Sequence, residues 1–325
     1  MADELELLRS ADPVPADGPY LGDGPLDQQA ERRLHRLLHD HPAPAPRRRT
    51  RLAWGLAASA VVATLVSALL FTGQTTAPAV AAPRPLVVRA DSTPVPLDTI
   101  ARRAQDAAAD GSPALRQGTH VQSWSLGMSD RRAPITLPEE RIVRWHADDS
   151  HTEIVVATDP RHPGRPVLRD SDGEPRPVED GHVLSNRTYP PSWSDAPPRS
   201  TPPHDPARLR AYLQEAAYSD GPLNTPELLD AVDVLLDHWT LGARESAALA
   251  RLLAGMEDLR PAGQVTDRLG RRGQAYVYDD SATRRMLILD PATGTVLGLE
   301  TTFTSAQPEY GVKPGDVMEY SAWMR

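Results

Sequence analysis

The sequence predicts an α+β fold: an extracytoplasmic domain of antiparallel sheet with packed helices, carried behind a single transmembrane helix. Three observations lead there. Residues 52–72 are apolar and uncharged, residues 206–256 carry three helical patterns in succession, and alternating, turn-bounded strand patterns lie on both sides of those helices.

Residues 1–51 read as a cytoplasmic tail. Residues 4–10 allow a helical turn or two, which Pro13, Pro15, Gly18, Pro19, Gly22 and Gly24 prevent from continuing. Residues 26–40 form a better helix, because Leu26, Ala30, Leu34, Leu37 and Leu38 recur at helical spacing with arginines between them. A helix this short is marginal alone. Its leucine stripe is therefore the expected partner-binding surface, for a cytoplasmic protein, the bilayer or a second copy. His35 and His39 lie four apart on it and His41 follows, but structural zinc usually takes four ligands and the chain has no thiolate. They read as polar-face residues, and neither metal nor cofactor is assigned. Pro42, Pro44 and Pro46 then space the helix from the membrane in extended form.

The run 52–72 spans roughly 30 Å as a helix, the thickness of a bilayer core. Arg47, Arg48, Arg49 and Arg51 precede it, and no basic residue follows until Arg84. That asymmetry keeps the N-terminus in the cytoplasm and puts the rest outside, at the cell membrane. Ala79-Val80-Ala81 leaves a cleaved leader as the alternative, against which stand the long apolar core and the long tail before it. The paired arginines lack the hydrophobic pair that follows them in a twin-arginine signal.

Residues 73–96 form an Ala/Pro/Thr stalk, and the folded domain is expected over 97–325. Asp98 is placed to cap a helix over 99–109, ended by Gly111-Ser112-Pro113. Strands follow at 119–128, 140–147 and 151–158, with Asp148-Asp149-Ser150 as a hairpin-length link. In the first of them Val121, Ser123 and Ser125 oppose His120, Gln122, Trp124, Leu126 and Met128. The proline-rich stretch 159–205 reads as a long loop with one short strand at 166–169. Helices are expected over 206–217, 225–236 and 243–256, the second starting at Thr225-Pro226. From Val265 the pattern returns to strands, at 275–278, 285–289, 296–302 and 317–324, with Asp290-Pro291-Ala292-Thr293-Gly294 as a hairpin turn. No internal repeat is evident.

Composition narrows the chemistry. The absence of cysteine excludes disulfides, thiolate metal sites and thiol catalysis, so an exported domain must hold together by its core alone. A net charge of −9 gives no reason to expect nucleic acid as a partner. With 33 prolines and a single lysine, Lys313, the composition is that of a GC-rich coding sequence. The common hydrolase, metalloprotease and nucleotide-binding signatures are missing, and no enzymatic activity is assigned. The best acidic group is Glu227, Asp230, Asp233 and Asp237 with His238, spaced along one helix face. It suits an acid/base pair or calcium ligands, or more plainly an acidic solvated face, since Leu228, Leu229, Val232, Leu235 and Leu236 of the same helix are set for burial. Trp124, Trp145, Trp193, Trp239 and Trp323 could line an apolar groove or simply pack in the core.

Leu7-Leu8-Arg9-Ser10-Ala11-Asp12-Pro13, the apolar run, the segment from Asp205 to Ala211, Asp267-Arg268-Leu269-Gly270-Arg271 and the Asp290–Gly294 turn together resemble a family of actinobacterial single-pass membrane proteins often encoded beside extracytoplasmic-function sigma factors. The resemblance implies no established activity and no catalytic residues; the one-span topology and the leucine stripe of the helix over 26–40 lead to the expectation of a regulatory or sensory protein with a sigma factor as its cytoplasmic partner. The order of helices and antiparallel strands is similar to lipoprotein-carrier and sigma-regulator ectodomains, which makes a carrier of an apolar or envelope ligand the alternative expectation, and an envelope enzyme the third.

Overall fold

The computed structural model describes residues 83–171, 174–191 and 200–324. The tail with its leucine stripe, its histidines and Arg47 to Arg51, the apolar run 52–72 and Trp193 lie outside them. Among the described residues no helix is long and apolar enough to cross a membrane.

The described chain is α+β, with a large antiparallel sheet and four α-helices. Helix α1 spans Leu97–Ala107, followed by β1 (Arg116–Ser129), β2 (Arg132–Trp145), β3 (His151–Ala157), β4 (Val167–Ser171), β5 (Glu174–Val178) and β6 (His182–Tyr189). Helices α2 (Pro206–Ala216), α3 (Thr225–His238) and α4 (Ala243–Leu253) come next, with the two-residue strand β7 (Trp239–Thr240) between the last two. Strands β8 (Arg260–Thr266), β9 (Arg272–Asp279), β10 (Thr283–Leu289), β11 (Val296–Phe303) and β12 (Val317–Trp323) complete it. The large sheet runs β6-β3-β2-β1-β12-β11-β10-β9-β8, with β7 beside the start of β1, and every pairing is antiparallel. The strands before and after the helices thus meet at β1–β12, where Val121 pairs with Trp323. Strands β4 and β5 form a separate ribbon.

Both expected hairpins are present, β2–β3 around Asp148-Asp149 and β10–β11 around the Asp290–Gly294 turn. Asp290 Oδ1 accepts from the amides of Ala292 and Thr293, and Gly294 has φ +67. A Cβ on Gly294 would stand 2.7 Å from Ala104 Cβ and 3.1 Å from Ala250 Cβ, so this turn fits against α1 and α4 only as glycine. The small residues Ala101, Ala104 and Ala250 join these helices closely.

Three local expectations differ from the structure. Helix α1 starts after Pro96 with no side-chain cap, and Asp98 pairs instead with Arg251 of α4 at 2.9 Å. Helix α3 is capped by Asn224 rather than Thr225: Asn224 Oδ1 accepts from the Glu227 amide, and Glu227 accepts from the Asn224 amide in return. Within 159–205 the chain forms β4, β5 and β6 rather than one short strand. Pro175 and Pro177 are tolerated because the β4–β5 ribbon gives each strand only one partner.

The β1 alternation holds and sorts the core onto two faces. On the helix side, Val121, Tyr276, Leu287, Leu289, Leu299 and Trp323 pack with Leu209, Leu213, Leu228, Leu249 and Leu253 of the helices. On the outer side, Trp124, Val265, Ile288, Leu297, Val317 and Tyr320 form a second cluster, covered in part by Leu86 and Val88 of the segment entering the domain. Trp124, Trp239 and Trp323 are therefore core residues distributed over both faces. Leu249→Ala is expected to destabilise the domain by about 2–5 kcal/mol, since its side chain is fully enclosed, whereas Val87→Ala, at 79% exposure, should shift the urea midpoint little.

Candidate functional site

The acidic helix face divides by environment. Glu227 is spent on the cap, and Asp230 accepts from Arg285 of β10 at 2.5 Å while staying largely open to solvent. His238 Nδ1 lies 2.8 Å from the Val234 carbonyl of its own helix. Asp233 and Asp237 turn inward and meet the helix-side face of the sheet. There the alternation of β12 presents Glu319, two residues before Ser321 and four before Trp323, and that of β2 presents Arg141 opposite Val121.

Asp237 Oδ1 accepts weakly from Trp323 Nε1 at 3.4 Å, and its backbone oxygen accepts from Arg141 Nη1 at 3.1 Å. Arg141 is otherwise committed to Glu153 of β3, donating from Nε and Nη2 at 3.0 and 2.8 Å. Asp233 receives no hydrogen bond among the described residues. Its pKa is pushed up to about 8, first by loss of water and then by the charges of Asp237, Glu319 and Asp230, with Arg285 opposing. Burial raises Asp237 as well, against Arg141 and the Trp323 hydrogen bond, and it raises Glu139 of β2. The carboxyls between α3 and the sheet thus form an acidic cluster in which burial disfavours the charged form of Asp233. The helix carboxylates do not converge as calcium ligands: among the described residues no three of His, Asp or Glu are grouped as a metal site.

A second constellation lies on the outer face, where the chain enters the domain. Arg268 and Glu300 form an ion pair with only 5% and 1% of their side chains exposed. Glu300 Oε1 also accepts from the Leu86 amide at 2.7 Å, and Arg268 Nη2 donates to the Arg84 carbonyl at 3.0 Å. Further along, the Arg89 amide donates to Gln264 O at 2.9 Å and the Gln264 amide to Ser92 Oγ at 2.9 Å. Tyr276 donates from its hydroxyl to Val95 O at 2.9 Å. Residues 84–95 are thereby tied to β8, β9 and β11.

From this ion pair a stack runs across the outer face. Arg268 lies 5.1 Å over the Tyr320 ring, Tyr320 and Trp124 are 5.5 Å apart at 43°, and Arg161 covers Trp124 at 5.1 Å. Asp159 closes the stack, accepting from Trp124 Nε1 at 3.3 Å and from Arg161 Nη2 at 2.8 Å. Burial alone would raise its carboxyl, yet Arg161 and His162 hold it down to about 2.

Asp233 and Asp237 are legible in the sequence, whereas Glu319, Arg141 and Arg285, which come to them from distant strands, are not. Arg268 stood in a segment singled out for resemblance alone. Glu300 had one usable signal, a lone charge in a strand where all eight residues are buried. No protein-family profile matches the chain, and no curated protein is similar to it.

A carboxyl whose pKa is raised in the folded state keeps its full contribution below about pH 4 and loses it as pH rises through the folded value. Asp233, with Asp237, Glu139 and Glu300 shifted the same way, should make the melting temperature fall between pH 5 and 8.5. Asp159 has the opposite sign and should add an acid limb below pH 4. Asp233→Asn should flatten the alkaline fall; an unchanged slope would remove Asp233 as its source. Glu300→Ala, which leaves Arg268 buried without its counter-charge, should cost about 3–5 kcal/mol in urea unfolding. Limited proteolysis of the same variant should reveal faster cutting within 84–95.

Proposed function

We propose that the chain is a membrane-anchored regulatory or sensory protein, whose α+β domain works outside the cell membrane and whose short tail meets a cytoplasmic partner, a sigma factor being the kind encoded beside the family it resembles. The observation that carries this reading is the attachment of residues 84–95 to the sheet by Glu300, Arg268, Gln264 and Tyr276. The chain that leads back toward the apolar run 52–72 is hydrogen-bonded into the domain's core strands. A change in the packing of β11 is therefore felt by the segment nearest the membrane, which is what a sensor needs and a free tether lacks.

The order of helix, strands, three helices and strands resembles lipoprotein-carrier and sigma-regulator ectodomains, an analogy of fold alone. Between those two, the side chains favour the regulator. The helix-side face of β1, β2, β3 and β12 carries Ser123, Glu139, Arg141, Glu153 and Glu319 beyond the helices, a polar wall ill-suited to an acyl chain. An envelope enzyme would have to use Asp233 or Asp237, and neither is paired with a nucleophile or base among the described residues.

The test is a pull-down from crosslinked cells, comparing the full-length chain with one lacking residues 1–40. A sigma factor should be recovered only with the intact tail, and Asp at Leu34, Leu37 and Leu38 should abolish its recovery. Recovery of envelope proteins alone, equally with both forms, would overturn the reading.

A further inference from the structure

On the outer face of β1 and β2, at the end away from their own turn, lies a groove of about 590 Å³. A β-bulge builds its floor: Gln117 and Gly118 both oppose Trp239 of β7. Gly118 has φ +106, and a Cβ there would fall 2.4 Å from the Val143 carbonyl oxygen, so only glycine leaves this backbone in place. Thr240 Oγ1 donates to Gly118 O at 2.9 Å and fixes the bulge.

Around this floor the charges are of one sign. Arg144 sits directly opposite Gly118 in the β1–β2 register, and Arg116 lines the groove two residues before it. Both arginines are exposed, and neither has a carboxylate partner among the described residues. Most arginines that contact a carboxylate elsewhere in the domain do so at short range, as Arg141, Arg161, Arg268, Arg271 and Arg285 do. The nearby Glu140 is engaged by His120, whose Nε2 is 2.5 Å from Glu140 Oε1. Trp145 also lines the groove.

Two unpaired guanidiniums at a rigid concave site, in a chain of net charge −9, are an arrangement that recognises an oxyanion through forked, charge-assisted hydrogen bonds. We propose that this groove binds a phosphate group, carried either by a soluble phosphate compound or by a lipid headgroup. The site is separate from the acidic cluster and does not depend on the signalling role.

Calorimetric titration of the full-length chain, held in a maltoside detergent, tests it with two probes: inorganic phosphate and a short-chain phosphatidylglycerol. Binding should be saturable and weakened about tenfold or more by Arg116→Ala and by Arg144→Ala, the loss of one charge-assisted contact. Arg187→Ala, an exposed arginine on β6 outside the groove, should leave it unchanged. Arginine-dependent binding of both probes assigns the site to the phosphate group itself, and binding of the lipid alone assigns it to a headgroup. Binding of neither probe, or an equal loss in Arg187→Ala, would overturn the proposal. The substituted side chains are exposed, and unchanged circular dichroism would show that the fold is intact.

Discussion

Strand β11 is buried along its whole length, and everything around it answers that constraint. A strand enclosed on both faces needs cover on both. The helices supply one side through Leu299 and its neighbours, and the entering segment 84–95 helps supply the other through Leu86 and Val88. Glu300 then places a carboxylate in the covered face, where desolvation would be severe unless its oxygens were paired. Arg268 and the Leu86 amide pair them. The entering segment is thus held by a charge that would otherwise oppose folding, and this joins the core to the part of the chain that leads back to the apolar run 52–72.

The helix side shows the opposite choice. Beneath α3 the carboxylates of Asp233, Asp237 and Glu319 face one another with too few arginines to neutralise them, because Arg141 is drawn to Glu153 and Arg285 to Asp230. Burial raises the pKa values of Asp233 and Asp237, and for Asp233 the neighbouring carboxylates add to it. An arrangement that lowers stability as pH rises has no structural advantage, and local violations of this kind collect where a surface is used. The outer face pairs its charges closely through Asp159–Arg161 and Asp267–Arg271.

Much of the architecture was legible from local pattern. The two hairpins declared themselves through aspartate- and glycine-containing turns, the three central helices through leucine spacing, and the two-faced character of β1 through its alternation. What was illegible depended on partners far away in the chain. Strand β5 and the first half of β2 contain prolines that argue against strands; Pro138 is accommodated because the ladder from β2 to β3 has its last pair at Glu139 and Ala157. The hydrogen bond from the Leu86 amide to Glu300 joins residues separated by 214 positions, which no local pattern reveals. The acidic cluster was half visible: the helix supplied its acids in one readable stripe, while Glu319 and the arginines arrived by strand register alone.

The account rests on residues 84–95 being part of the folded unit. Amide hydrogen exchange at Leu86 and Arg89, measured on the full-length chain, addresses it most directly. Both amides are donors in the structure, to Glu300 and Gln264, and should exchange as slowly as those of β11, through opening of the domain itself. Exchange at the rate of an unstructured chain, with β11 still protected, would mean that the segment hangs free and that the domain's core has no physical hold on the chain that precedes it.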